Sequence, residues 1–155
     1  MPALSGLSDY AERAILDTLF PPNSGGTSYS APSTAYIALY TGGTVNEDGT
    51  LPGGVAEVSG GGYSRLAITM TGSNSVWSAA TTDASGVTTK TNRVDLEWPQ
   101  ATANWGTVTG WAIWRTSTGG TATDLIFGGT FSTPVTINAN DTLRIRANQL
   151  VVGAS

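Results

Sequence analysis

The residues best suited to chemistry are carboxylates, because the chain contains neither histidine nor cysteine. Asp95 and Glu97 stand two positions apart, so on a strand they would share one face. Two such carboxylates could cleave a glycosidic bond. They alternate with the apolar residues Val94, Leu96 and Trp98, however, which is typical of a strand with one solvated face. We therefore interpret them as surface residues and predict that the chain is not an enzyme and has no catalytic residue.

Other sites that bind metals or cofactors are also excluded or disfavoured. Without imidazole or thiolate there is no zinc site of the usual kind, no Ser-His-Asp triad and no disulfide. The segment "NEDGT" (46–50) offers oxygen ligands, but it lacks the spacing of a calcium loop and predicts a turn. The runs "PGG" and "SGGGY" do not join a strand to a helix, so they indicate turns rather than phosphate binding. We expect no metal and no cofactor.

The charge pattern argues against two further classes of partner. Only 12% of residues are charged, the formal net charge is −4, and the seven basic residues are scattered. Nucleic-acid binding needs clustered Lys and Arg, so we expect no nucleic acid. Arg144 and Arg146 share one strand face and are interpreted as part of a solvated or interface ion pair. No run approaches the ~20 apolar residues of a membrane span, and we predict no signal peptide.

Three of the five tryptophans lie in "NWGTVTGWAIWR" (104–115). On a strand, Trp111 and Ile113 would lie on one face, and Trp114 and Val108 on the other. Exposed rings could stack on a glycan, but these apolar neighbours favour anchors of a core or a subunit interface. If one face fills the core, the other is covered by the N-terminal helix or by an identical neighbour, and we expect the neighbour. The candidate interface residues on this stretch are Trp105, Trp111 and Trp114.

One segment has helical periodicity. Apolar residues recur every three or four positions between residues 4 and 20, with Ser5 or Ser8 as a possible N-cap and Pro21-Pro22 as the end. We predict a helix from about Ser5 to Phe20 that docks on a neighbouring subunit or a larger particle. The residues proposed for that contact are Leu4, Leu7, Ile15 and Leu19.

Residues after position 33 follow a β pattern. Short alternating runs are separated by turns, and residues 42–62 form a long glycine-rich loop. The fold class predicted is mainly β, a single antiparallel β-sandwich of jelly-roll type with one N-terminal α-helix. We divide the chain into an N-terminal helix or arm at residues 1–22 and a sandwich at residues 34–155.

Two segments carry a resemblance to a known family. Together with the order of the other elements, "EVSGGGYSR" (57–65) and "NWGTVTGWAIW" (104–114) resemble small structural proteins of tailed-bacteriophage virions, commonly labelled phage tail fibre proteins. The resemblance runs from Leu4 to Val152. It implies a protein made in the cytoplasm of the host bacterium and then built into the virion.

Within that family we expect a capsid-decorating (cement) protein, because a clamp between capsomers needs only one compact domain and one extended arm. The alternative is a tail fibre or tail-associated component that recognises a host glycan through surface aromatic residues. The partners expected are further copies of the chain in a homo-oligomer, and other virion proteins such as the major capsid protein or tail proteins.

Overall fold

A computed structural model describes residues 3–154 as a mainly β fold with a single helix among them. The helix α1 spans Asp9–Leu19. The strands are β1 Thr34–Thr41, β2 Ala56–Glu57, β3 Leu66–Thr69, β4 Thr81–Thr82, β5 Thr88–Thr91, β6 Leu96–Glu97, β7 Gly106–Trp114, β8 Leu125–Ile137, β9 Arg144–Ile145 and β10 Val151–Ala154.

A five-stranded antiparallel sheet forms the first layer, with β1 and β7 at its centre. β7 pairs with β1 on one side and with β8 on the other. The second edge of β1 pairs with β3 along its first half and with β2 at its end. The second layer consists of the short sheets β10-β5-β4 and β6-β9, and the larger core cluster lies between the layers. The predicted antiparallel sandwich is confirmed, although its second layer is two short sheets.

Both faces of the central strands are buried. β1 is buried without interruption from Ile37 to Tyr40 and β7 from Gly110 to Trp114, which is typical of strands covered on two sides. The larger core cluster includes Ile37, Leu39, Trp111 and Ile113, and a second cluster on the opposite face includes Ala38, Tyr40, Ala112 and Trp114.

The helix begins one turn later than the sequence pattern predicts. Ser8 is the N-cap, and its side-chain oxygen accepts a hydrogen bond from the backbone N–H of Ala11 at 3.2 Å. The same hydroxyl donates to the backbone oxygen of Leu125 at 2.5 Å. Because Ser8 is fully buried, this one side chain fixes the start of α1 onto β8.

The residues before the helix are extended and lie along the edge of β8. The backbone N–H of Gly128 donates to the oxygen of Gly6 at 2.9 Å, and the N–H of Ser8 donates to Ile126 at 3.0 Å. The prediction that the helix begins at about Ser5 and includes Leu7 is therefore wrong. For these residues, the backbone hydrogen bonds to β8 stabilise the extended form more than a further turn of helix would be stabilised by burying the same apolar side chains.

The second cluster is covered by the chain itself. Leu4, Val45 and the half-buried Val55 pack on the face that carries Trp114. The expectation that an identical neighbour covers this face is therefore wrong, since the N-terminal segment and the loop after β1 already do so. The division into residues 1–22 and 34–155 stays a prediction, and residues 1, 2 and 155 lie outside the residues described.

We expect Leu4→Ala to lower the free energy of unfolding by about 2–5 kcal/mol, because it removes a buried side chain and leaves a cavity. Leu4 is 1% exposed, whereas Leu19 is 65% exposed and serves as the matched control. Leu19→Ala should change stability by about 0.5 kcal/mol or less. Urea unfolding measures both, and equal effects would show that the N-terminal segment does not cover the core.

Candidate functional site

The carboxylates singled out by spacing form a surface ion pair. Asp95 and Glu97 are exposed, and both contact the guanidinium of Arg144. The Asp95 contact is 3.9 Å long, and Glu97 also accepts a hydrogen bond from Nε of Arg144. The two carboxylates thus share one arginine on the surface, which agrees with the interpretation of Asp95 and Glu97 as surface residues.

The segment "NEDGT" folds as a turn. The N–H of Gly49 donates to the backbone oxygen of Asn46 at 3.0 Å, and the hydroxyl of Thr50 donates to Asp48 at 2.6 Å. These hydrogen bonds hold the pKa of the Asp48 carboxyl below its usual range. Among residues 3–154, no three acidic residues gather into a group that could hold a metal ion.

The most developed polar cluster lies around Arg65, whose side chain is 3% exposed. Arg65 binds both oxygens of Glu57, through Nε at 2.7 Å and Nη2 at 2.8 Å. It also donates to the backbone oxygens of Thr116 at 2.9 Å and Gly119 at 2.8 Å. Its Cζ atom lies 5.0 Å from the ring centre of Trp114. The guanidinium is thus bidentate to a carboxylate and closes the turn after β7.

Burial and the ion pair act in opposite directions on this arginine. Burial disfavours its charge, but hydrogen bonds to Glu57 and the charge of that carboxylate raise the pKa of Arg65 above its ordinary value. Burial also raises the pKa of Tyr63, whose hydroxyl donates to Glu57 at 3.2 Å and accepts from the N–H of Leu39 at 3.0 Å. The cluster therefore stays ionised at Arg65 and neutral at the phenol, which suits a structural role.

The cluster joins the two segments that carry the family resemblance. Trp105 donates from Nε1 to the backbone oxygen of Gly61 at 2.9 Å and packs edge-on against Tyr63, with ring centroids 5.4 Å apart. Gly61 has φ +56°, and a Cβ there would lie 2.9 Å from the backbone oxygen of Ala103. Glycine at position 61 therefore lets the turn "SGGGY" adopt this backbone conformation and leaves room for the ring of Trp105.

The structure separates the predicted interface residues into two groups. Leu4, Trp105, Trp111 and Trp114 are buried within one chain, which agrees with the interpretation of the tryptophans as core anchors and not with the alternative of a glycan-stacking surface. Leu7 and Ile15 are half-buried, and Leu19 is exposed. An interface role stays a prediction for these last three.

Sequence reasoning missed two features. Leu16 and Phe20 are exposed beside Leu19 at the end of α1, and their spacing of three and four residues signals a shared helix face. Glu57 and Arg65 were not recognised as a pair, although they are opposite charges at the two ends of "EVSGGGYSR" in a chain with few charges.

Trp111 lines a groove at the edge of the main sheet. Its ring stacks on Phe127 with centroids 6.0 Å apart. It borders a cavity of about 680 Å³ and a second one of about 420 Å³, both of which also contact Thr130 of β8 and Val151 of β10. This groove and the exposed end of α1 are two surfaces open to contacts with other molecules.

The chain matches the model of a known protein family. The family model described as "Podophage GP4 fiber I protein gp80" matches residues 6–153, which include both segments that pack around Arg65. No curated protein matches the chain. No helix among residues 3–154 is long and apolar enough to cross a membrane.

We expect Arg65→Ala to lower the free energy of unfolding by about 3 kcal/mol, because Glu57 is then left partly buried without its partner. Arg144→Ala is the matched control. It breaks an ion pair of which both members are about half exposed, and should cost about 1 kcal/mol or less. Denaturant unfolding at neutral pH measures both. Equal losses would contradict the structural role given to Arg65.

Proposed function

The chain belongs to the family described as Podophage GP4 fiber I protein gp80, and from this membership we propose that it is a structural component of a podophage tail fibre. The family match over residues 6–153 carries the proposal, because it spans the fold, the groove and the end of α1. The protein acts through protein–protein contacts and without catalysis. Its partners are other proteins of the same fibre.

The distribution of side chains supports a structural role. The buried ion pair and the tryptophans are used to make the fold rigid, and the exposed carboxylates pair with arginine. General acid–base catalysis needs a titratable group held in a cleft beside a substrate. The polar groups around Arg65 are instead directed at each other and at backbone oxygens.

The end of α1 is the surface that best fits attachment to a neighbouring fibre protein. Ala11 and Ala14 are the fully buried residues of the helix, which contacts β8. Leu16, Leu19 and Phe20 are left exposed together. Exposed apolar residues on one helix face commonly mark a contact with another protein. From the sequence, the helix is also expected to dock on a neighbouring protein. The contact at the end of α1 keeps Leu19 from that expected set and adds Leu16 and Phe20.

Capsid decoration, the first expectation from the sequence, gains no support from the family match, whose description names a fibre protein. The expectation of capsid decoration rests on the small size of the chain and on an extended N-terminal arm. Residues 4–8 instead pack along β8, so the argument from the arm is weakened. Tail fibre, the alternative, therefore becomes the proposal.

Electron microscopy of purified particles with a gold-labelled antibody against this chain tests the location. We expect label on the tail fibres and a copy number far below that of the major capsid protein, which quantitative mass spectrometry of the same particles measures. An antibody against the major capsid protein serves as the control. Label over the whole capsid, at a copy number close to that of the capsid protein, would overturn the proposal.

The helix contact is tested by Phe20→Asp. We expect the variant to fold normally, because the side chain is exposed, and to enter particles at least about tenfold less well. Val94→Asp, at another exposed apolar residue, is the matched control and should be incorporated normally. Incorporation is measured in particles assembled with each variant. Normal incorporation of the Phe20 variant would exclude the end of α1 as the contact.

A further inference from the structure

An apolar pocket lies between the N-terminal region and one of the small sheets. It has a volume of about 260 Å³ and is open to solvent. Its lining comes from the segment before α1, from α1 itself, from β8, and from the strands β5 and β10, and includes Leu7, Ile15, Phe127 and Val152. All four of these side chains are half-buried. The pocket is therefore apolar surface that the fold itself leaves partly uncovered.

Lys90 is the charged residue in the lining of this pocket. It is the only lysine of the chain, and on β5 it lies directly opposite Val152 of β10. Residues paired in this way lie on the same face of a sheet, and Val152 packs against the larger core cluster. Lys90 is therefore on the face of the small sheet that is directed towards the main sheet. No acidic side chain among residues 3–154 forms an ion pair with it.

The charge, the size and the position of the pocket together favour one kind of occupant. An apolar wall binds an apolar side chain, and an ammonium group beside it favours a carboxylate on the same partner. The volume is below the ~300–1,000 Å³ typical of small-molecule sites, so one large side chain fits better than a ligand of drug size. Ile15 is next to Leu16 and four residues before Leu19, so a protein that contacts the exposed end of α1 can reach the pocket.

We propose that this pocket binds an apolar side chain of a neighbouring fibre protein, and that an aspartate or glutamate beside that side chain pairs with Lys90. Docking covers Leu7 and Ile15 and supplies the counter-charge of the lysine. The inference rests on the proposed function, because it takes the neighbour to be a protein of the same fibre. The gold label locates the chain on the particle whether or not the pocket is occupied, so the two proposals can fail separately.

Carbodiimide cross-linking of purified particles tests the contact with Lys90. The reagent joins an amine directly to a carboxylate that contacts it, and Lys90 is the only lysine of the chain. We expect mass spectrometry to find Lys90 joined to an acidic residue of another fibre protein, with an apolar residue next to it. Lys90→Arg is the matched control, because it keeps the charge but forms no such amide, and it should enter particles normally. Lys90 without a cross-link, or joined to a second copy of this chain, would overturn the proposal.

Filling the pocket gives a second readout. Ala79 and Ala80 are both exposed, and of the two Ala80 lines the pocket. Ala80→Trp should reduce incorporation into particles at least about tenfold, because the indole takes the place of the partner's side chain. Ala79→Trp is the matched control and should be incorporated normally, and both variants should unfold at the temperature of the wild type. Lys90→Glu should also reduce incorporation, because two like charges then face each other. Equal incorporation of the two tryptophan variants would contradict the proposal.

Discussion

The buried contact between Arg65 and Glu57 is the constraint on which the rest of the fold depends. Glu57 ends β2 and Arg65 directly precedes β3, and both strands pair with the same edge of β1. The same guanidinium holds the turn after β7 through the oxygens of Thr116 and Gly119. A buried charge is tolerated only when it is paired and its donors are satisfied. β2, the start of β3 and the turn after β7 must therefore meet at one point.

Trp114 connects this ion pair to the second core cluster, which includes Leu4 and Tyr40. Its ring lies against Arg65, and its Nε1 donates to the hydroxyl of Tyr40 at 2.8 Å. At Gly120, φ is +116°, and a Cβ would lie 2.8 Å from the ring, so the turn after β7 needs glycine at this position. Leu4 joins the same cluster. The ion pair of Arg65 and Glu57 thus helps to fix the position of Trp114, and Leu4 of the N-terminal segment packs in the same cluster as Trp114.

Local patterns in the sequence predict the parts of this fold that local forces determine. β1 and β7 are recognisable by their aromatic and aliphatic residues, and Pro21 marks the end of α1 by its own chemistry. The choice of Ser8 rather than Ser5 as the N-cap is not recognisable, because Gly6 and Ser8 are held by backbone hydrogen bonds to β8 that no periodicity reveals. The pair formed by Glu57 and Arg65 is missed for the same reason, since it exists only once β2 and β3 share an edge of β1.

Where the tryptophans lie also determines which surfaces remain for assembly. Because Trp105, Trp111 and Trp114 are inside one chain, contacts with other molecules depend on other exposed side chains, such as Leu19 and Phe20, and on strand backbone. Backbone edges pair without regard to sequence, and proteins that remain monomeric protect such edges with charges. A chain with only 12% charged residues and uncharged edge strands does not have that protection. Such a surface is a hazard for a free monomer, but it suits a protein that functions within an assembly, since neighbours then cover its edges permanently.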